Sequence, residues 1–76
     1  MSTLRNRFGR AVRKLRLAAG YSQEAFADHV KVHRTYMGTV ERGEVNLTLE
    51  NIEKIAKGLS INVWRLLQEG WSYRTL

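Results

Sequence analysis

Two short helical patterns, interrupted once, run through Gln23–Arg42 (QEAFADHVKVHRTYMGTVER), and this stretch constrains the chain more than any other. Ser22 stands before the first pattern as an N-cap, where its hydroxyl accepts an orphan backbone N–H. Glu24 and Asp28 suit the front half of that helix. Phe26, Ala27 and Val30 give it one apolar face, and Lys31 and Val32 then break the period. A second helix follows from about His33, which caps it or lies just outside. Met37 and Val40 point inward, and Arg34, Thr35, Gly38 and Thr39 outward. The small Ala27 lets the two helices approach closely.

The flanking segments read the same way. Met1 to Thr3 is expected to fray. From Leu4 to Ala19, Phe8, Ala11, Val12 and Leu15 fall at helical spacing, and Gly20 is placed to stop the helix in a left-handed conformation. Tyr21 is set to staple onto Phe26 or Ala25. Arg42-Gly43 ends the second helix of the central pair, and Glu44 to Leu47 forms a loop. Thr48 opens a fourth helix with Glu50 in its first turn. Leu49, Ile52, Ile55, Ala56 and Leu59 are expected to face the core, Lys54 and Lys57 to face away, and Gly58 to mark the end. Asn62 caps a fifth helix over Val63 to Glu69. Leu66 and Leu67 turn inward with Ile61, and Gly70 closes the helix. There is no proline and no strand pattern. The expectation is an all-α chain of five helices in one domain, 1–76, with a core over 4–69 and a tail over 70–76.

A chain of 76 residues buries only a modest share of its surface, so dimerisation is an expected source of stability. Its 43% hydrophobic content still supports a core. Without cysteine there is no disulfide framework and no thiolate metal site. His29 and His33, four apart, share a face only if the turn between them is helical, so no metal is expected. No apolar run nears membrane-spanning length and no signal peptide is visible, which points to a cytoplasmic protein. Gly-rich phosphate loops, nucleophile elbows and paired catalytic carboxylates are all absent, so neither enzymatic chemistry nor a cofactor or small-molecule ligand is expected. Thirteen basic residues against seven acidic leave +6, and six of the basic ones fall in the first sixteen: Arg5, Arg7, Arg10, Arg13, Lys14 and Arg16. A polyanion is the natural partner. A short, sharply angled helix pair in a small basic chain is the layout that lays its second helix in a DNA major groove.

Ser22-Gln23-Glu24, Ala27 and Glu41-Arg42-Gly43 resemble, in order and spacing, the Cro/repressor-type (XRE) helix-turn-helix family. The resemblance covers roughly Phe8 to Leu67 and implies a compact five-helix, lambda-repressor-like DNA-binding domain with the helix-turn-helix at helices 2–3. Within that family, Arg34-Thr35-Tyr36, Val40-Glu41-Arg42 and Asn46-Leu47-Thr48 resemble the controller proteins of restriction–modification systems. Family members often carry Gly or Asn at the turn where this chain has Lys31, a position that tends to need positive φ. Lysine there costs on the order of 1 kcal/mol.

The resemblance implies roles for particular residues. Arg16 pairs with Glu41 and ties the first helix to the end of the third; the alternative is an ordinary exposed arginine. Gln23 donates to a DNA phosphate, or is a solvent-facing helix former. Arg34, Thr35 and Thr39 are candidates for base edges, since an arginine fork matches guanine O6 and N7 and threonine offers a hydroxyl or a methyl. Gly38 either lets the helix approach the groove floor or is a neutral surface position. Tyr36 reaches a phosphate or packs its ring against the scaffold. Arg42 and Asn46 are further phosphate candidates. Surplus apolar residues at the C-terminal end (Val63, Trp64, Trp71, Tyr73, Leu76) suggest an interface, and the resemblance implies a two-fold homodimer through the fifth helix.

The reading is a dimeric transcriptional regulator on a near-palindromic double-stranded operator, in bacterium or phage, with an RNA polymerase contact as a further expected partner. Restriction–modification controller, Cro-like phage repressor and antitoxin all fit. The rival from another class is a protein-interaction module using the Trp64/Trp71 surface, and a third is non-specific nucleic-acid coating.

Overall fold

The computed structural model describes residues 3–71, which form five α-helices: α1 Leu4–Ala18, α2 Gln23–Val30, α3 Arg34–Glu41, α4 Leu49–Gly58 and α5 Val63–Trp71. Each begins at a side chain that accepts a free backbone N–H of the first turn. Ser22 Oγ takes Ala25 N (3.0 Å), His33 Nδ1 takes Thr35 N (3.1 Å), Thr48 Oγ1 takes Asn51 N (3.1 Å) and Asn62 Oδ1 takes Arg65 N (2.9 Å). Caps of this kind are worth about 1 kcal/mol each. Thr3 is not frayed as expected. Its hydroxyl accepts from Asn6 N and its own N–H donates back to Asn6 Oδ1, a capping box that fixes the start of α1.

The helix ends follow the sequence in part. Gly20 (φ +87°) and Gly43 (φ +72°) take the left-handed conformation, and Lys31 takes it at φ 64°, ψ 45°. After α4 the left-handed residue is Ser60 (φ 61°), not Gly58. Gly58 is helical, and a Cβ there would overlap Val30 Cγ1. Gly70 does not close α5, which continues to Trp71. A Cβ at Gly70 would lie 3.1 Å from Arg7 O and 3.2 Å from Phe8 Cα, so this glycine serves the close crossing of α5 over α1.

Phe8 and Val12 of α1, Phe26, Ala27 and Val30 of α2, Met37 and Val40 of α3, Ile52, Ile55 and Ala56 of α4, and Leu66 of α5 form one buried cluster. Leu49 is outside it, 77% exposed. It is the first residue of α4, and the inward stripe of that helix begins one turn later at Ile52. Tyr21 lies edge-on to Phe26 (centroids 5.4 Å) and stacks on His29 (5.0 Å). The two histidines therefore do separate jobs, His29 against a ring and His33 as a cap.

α3 is braced from behind by α1 and α2. Gly9 makes the first contact close. A side chain there would meet Glu41 O at 2.6 Å, so α1 and the end of α3 touch main chain to main chain. The other side of α3 is left open.

Candidate nucleic-acid interface

The anchor of this surface is buried. Arg16 donates from Nε to Glu41 Oε2 (2.7 Å) and from Nη2 to Glu41 Oε1 (2.9 Å), with both side chains about one-twentieth exposed (5% and 4%). Arg16 Nη1 also donates to Tyr21 O at 3.0 Å. The hydrogen bonds to Glu41 hold the Arg16 guanidinium above its ordinary value, against the opposing effect of burial, so it stays charged at any physiological pH. Gln23 joins from the first turn of α2, its Nε2 donating to Glu41 Oε1 at 3.1 Å. One carboxylate thus fixes the α1 C-terminal half, the α2 N-terminus and the α3 C-terminus together.

On the outward side of α3, Arg34 and Thr35 are exposed. Arg34 Nη1 is held by Glu24 Oε2 of α2 at 2.8 Å, a surface pair in which both partners remain largely solvated. Thr39 is half-buried, and its hydroxyl donates to Tyr36 O at 2.6 Å. The hydroxyl proton is spent inside the helix, which leaves Thr39 an acceptor oxygen and a methyl group to offer a base. Tyr36 packs its ring against the core and accepts from Asn51 Nδ2 at 3.0 Å. Because the phenolic oxygen is the acceptor there, its own proton is free to donate away from Asn51. Ring packing and an outward donor coexist at this residue.

Gly38 differs from expectation. It is buried, not outward: a Cβ there would sit 3.2 Å from Arg42 Nη1 and 3.5 Å from Gln23 Oε1. The missing side chain is filled by two polar chains folding over it, so Gln23 and Arg42 converge on one spot. Arg42 is exposed and its Nε donates to Glu44 Oε1 at 3.1 Å. Asn46 is exposed and accepts through Oδ1 from Arg5 Nη1 at 3.0 Å.

These side chains gather guanidinium, amide and hydroxyl donors around one exposed helix. That set is suited to phosphate oxygens at its rim and base edges at its centre. Sequence reasoning missed Glu24, Glu44, Arg5 and Asn51 as partners in it. The Arg34–Glu24, Tyr36–Asn51 and Asn46–Arg5 contacts cross between elements and leave no periodic signal.

At the other end, Trp64 and Trp71 are 62% and 56% exposed, and seven residues apart they share one stripe of α5. The Arg7 guanidinium lies 4.6 Å from the Trp71 ring centroid. Val63 is half-buried against the core. Tyr73 and Leu76 lie outside the described residues. Among the described residues no helix is long and apolar enough to cross a membrane.

Residues 7–62 match the family described as a helix-turn-helix domain. The chain is 43% identical over 67 residues to control protein C.BamHI of Bacillus amyloliquefaciens, covering 87% of this chain and 83% of that protein. It is 39% identical over 70 residues to control protein C.MunI of a Mycoplasma species, covering 91% and 95%. Among solved structures, the restriction-modification controller protein C.AhdI from Aeromonas hydrophila superposes with a TM-score of 0.77 at 44% identity, over 80% of this chain and 92% of that one. The pattern around Gln23–Arg42, the exposed α3 and these likenesses agree: the chain belongs to the helix-turn-helix family and, within it, groups with the restriction–modification controller proteins.

Proposed function

We propose that this chain is a sequence-specific DNA-binding regulator of transcription, acting as a homodimer in the cytoplasm on the operator of a restriction–modification system. It is a regulator and not a catalyst. α3 enters the major groove of each half-site. Arg34 reads a guanine with its fork, Thr35 contributes a hydroxyl, and Thr39 contributes a methyl to thymine. Gln23, Tyr36, Arg42 and Asn46 hold the flanking phosphates and set the register. Two-fold symmetry places the half-sites about one helical turn, roughly 34–36 Å, apart on a near-palindromic site. Where the protein activates, a contact with RNA polymerase beside the operator carries the signal.

The observation that supports this reading most is the exposed face of α3 flanked at both ends by side-chain donors, on a helix pinned from behind by the Arg16–Glu41 pair. The test is selection of bound duplexes from a random pool, then competition between the enriched site and a scrambled one at physiological salt. A symmetric enriched motif is expected. A pool that never narrows to a motif would remove the reading. On the enriched site Arg34→Ala should cost about 1–3 kcal/mol and relax preference at one base pair of each half-site.

A further inference from the structure

The N-terminal arginines form a run in the sequence, but the fold gives them different work. Arg16 is in the buried pair, Arg7 covers Trp71, and Lys14 reaches Glu69 at 3.0 Å. Arg5 is directed at the loop after α3, donating from Nη1 to Asn46 Oδ1 across 41 positions of sequence. The neighbouring Asn6 fastens the same junction: its Nδ2 donates to Arg42 O at 3.3 Å, and its backbone lies so close to Gly43 that a side chain there would be 2.9 Å from Asn6 Cα. The first turn of α1 is therefore clamped onto the exit of α3, beside Arg42.

Two features of the Arg5–Asn46 contact matter chemically. No carboxylate pairs with Arg5 among the described residues, so its full charge faces solvent while one N–H is tethered. Asn46 uses its oxygen on Arg5, which turns its amide N–H₂ into the free end. A guanidinium and an amide donor are then held next to each other, joined through Asn46 Oδ1, with their remaining N–H groups unspent. That combination matches a phosphodiester oxygen and offers nothing to a base edge that needs an acceptor.

We propose that Arg5 and Asn46 form one phosphate seat on the DNA backbone, next to Arg42, with Asn46 positioning the Arg5 guanidinium as well as donating alongside it. This rests on the DNA-binding reading above. It assigns a contact to α1, outside the helix-turn-helix pair, and gives Asn46 a partner.

The test uses the full chain with the enriched operator and an unrelated duplex, each titrated over a series of salt concentrations. Arg5→Ala should weaken both duplexes alike, by about tenfold at physiological salt, and reduce the magnitude of the logarithmic salt slope by about one. Asn46→Ala should lose less, and in the double variant the Asn46 change should cost less than it does alone, because part of the amide's effect is exerted through the guanidinium. Arg5→Lys should keep the slope while losing part of the affinity. Thermal melts of each variant without DNA separate a loosened junction from a lost contact. An unchanged slope for Arg5→Ala, a loss confined to the operator, or losses that simply add would overturn the seat and leave the regulatory reading standing. Wild-type protein with no salt-sensitive binding to either duplex would sink both.

Discussion

Lys31 and Gly38 each hold a backbone position at a local cost of about 1 kcal/mol. Lys31 holds a left-handed conformation (φ 64°, ψ 45°) at the turn between α2 and α3, where its N–H closes on Asp28 O at 3.2 Å. Its side chain is exposed and makes no ion pair among the described residues. Glycine at this position escapes the clash between Cβ and carbonyl, a gain of about 1 kcal/mol, less a few tenths for its freer unfolded chain. Lys31→Gly should raise the melting temperature by about 2–5 °C. A thermal melt checks this, and an unchanged or lower value would mean that the turn draws support from the lysine side chain. Gly38 is the opposite case. Mid-helix glycine costs about 1 kcal/mol relative to alanine, so Gly38→Ala should stabilise the fold. Its Cβ would press on Arg42 Nη1 at 3.2 Å, the movable end of a long side chain, which yields by a few tenths of an ångström. Arg42 and Gln23 would then no longer converge. The expected outcome is a higher melting temperature together with DNA affinity weakened for every sequence by on the order of 1 kcal/mol. A stabler variant with unchanged affinity would show that the convergence over Gly38 is irrelevant to binding.

At the scale of elements, the orientation of α3 depends on one buried ion pair. Among the described residues, Arg16→Met leaves the buried Glu41 carboxylate with only Gln23 to donate to it, and removing one member of such a pair costs about 3–5 kcal/mol. A domain this small has little more than that in reserve, so the single variant should be largely unfolded at 37 °C. Arg16→Met with Glu41→Leu removes both charges and should recover most of the stability, measured by denaturant unfolding at matched protein concentration. If the double variant is no better than the single, the pair contributes geometry that apolar packing cannot replace. The elements themselves were legible in the sequence, because apolar spacing, caps such as Ser22 and Thr48, and stops such as Gly20 and Gly43 act locally. What escaped was set by distant partners. Leu49 is apolar by type yet stands before the point where the stripe of α4 meets the core. Gly70 resembles a helix stop and is instead a crossing point against α1. Gly38 has the spacing of an outward residue but is roofed by side chains from α2 and its own helix. The candidate site divides the same way. The residue types on α3 were enough to single out its exposed face as the candidate, whereas Glu24 beneath Arg34 and Asn51 beneath Tyr36 became visible only when the helices were folded together.

The whole molecule leaves a question of surface that a monomer does not answer. Trp64 and Trp71 expose more than half of their area along one stripe of α5, with half-buried Leu67 between them, and the Arg7 guanidinium lies over the Trp71 ring. A tryptophan side chain turns about two torsions and carries a large apolar area, so it loses little entropy for the surface it buries, which favours its use as an anchor in an interface. A two-fold contact through this stripe would stack the Trp64 side chains of two copies near the axis and bury surface that a domain of this length cannot cover itself. The two α3 helices would then be carried as a rigid unit, so that half-site spacing is fixed by the α5 contact and not by flexible tails. Sedimentation equilibrium should give a dimer mass for the wild type at micromolar concentration. Trp64→Ala should weaken that dimer by about 2 kcal/mol, close to thirtyfold, while leaving the helical content of the monomer intact. Operator binding by the variant should steepen with protein concentration, since two monomers must now assemble on the DNA, whereas binding to a single half-site should be unchanged. A wild type that sediments as a monomer and binds full and half operators equally well would place the two tryptophans in some other contact and leave each α3 to read DNA alone.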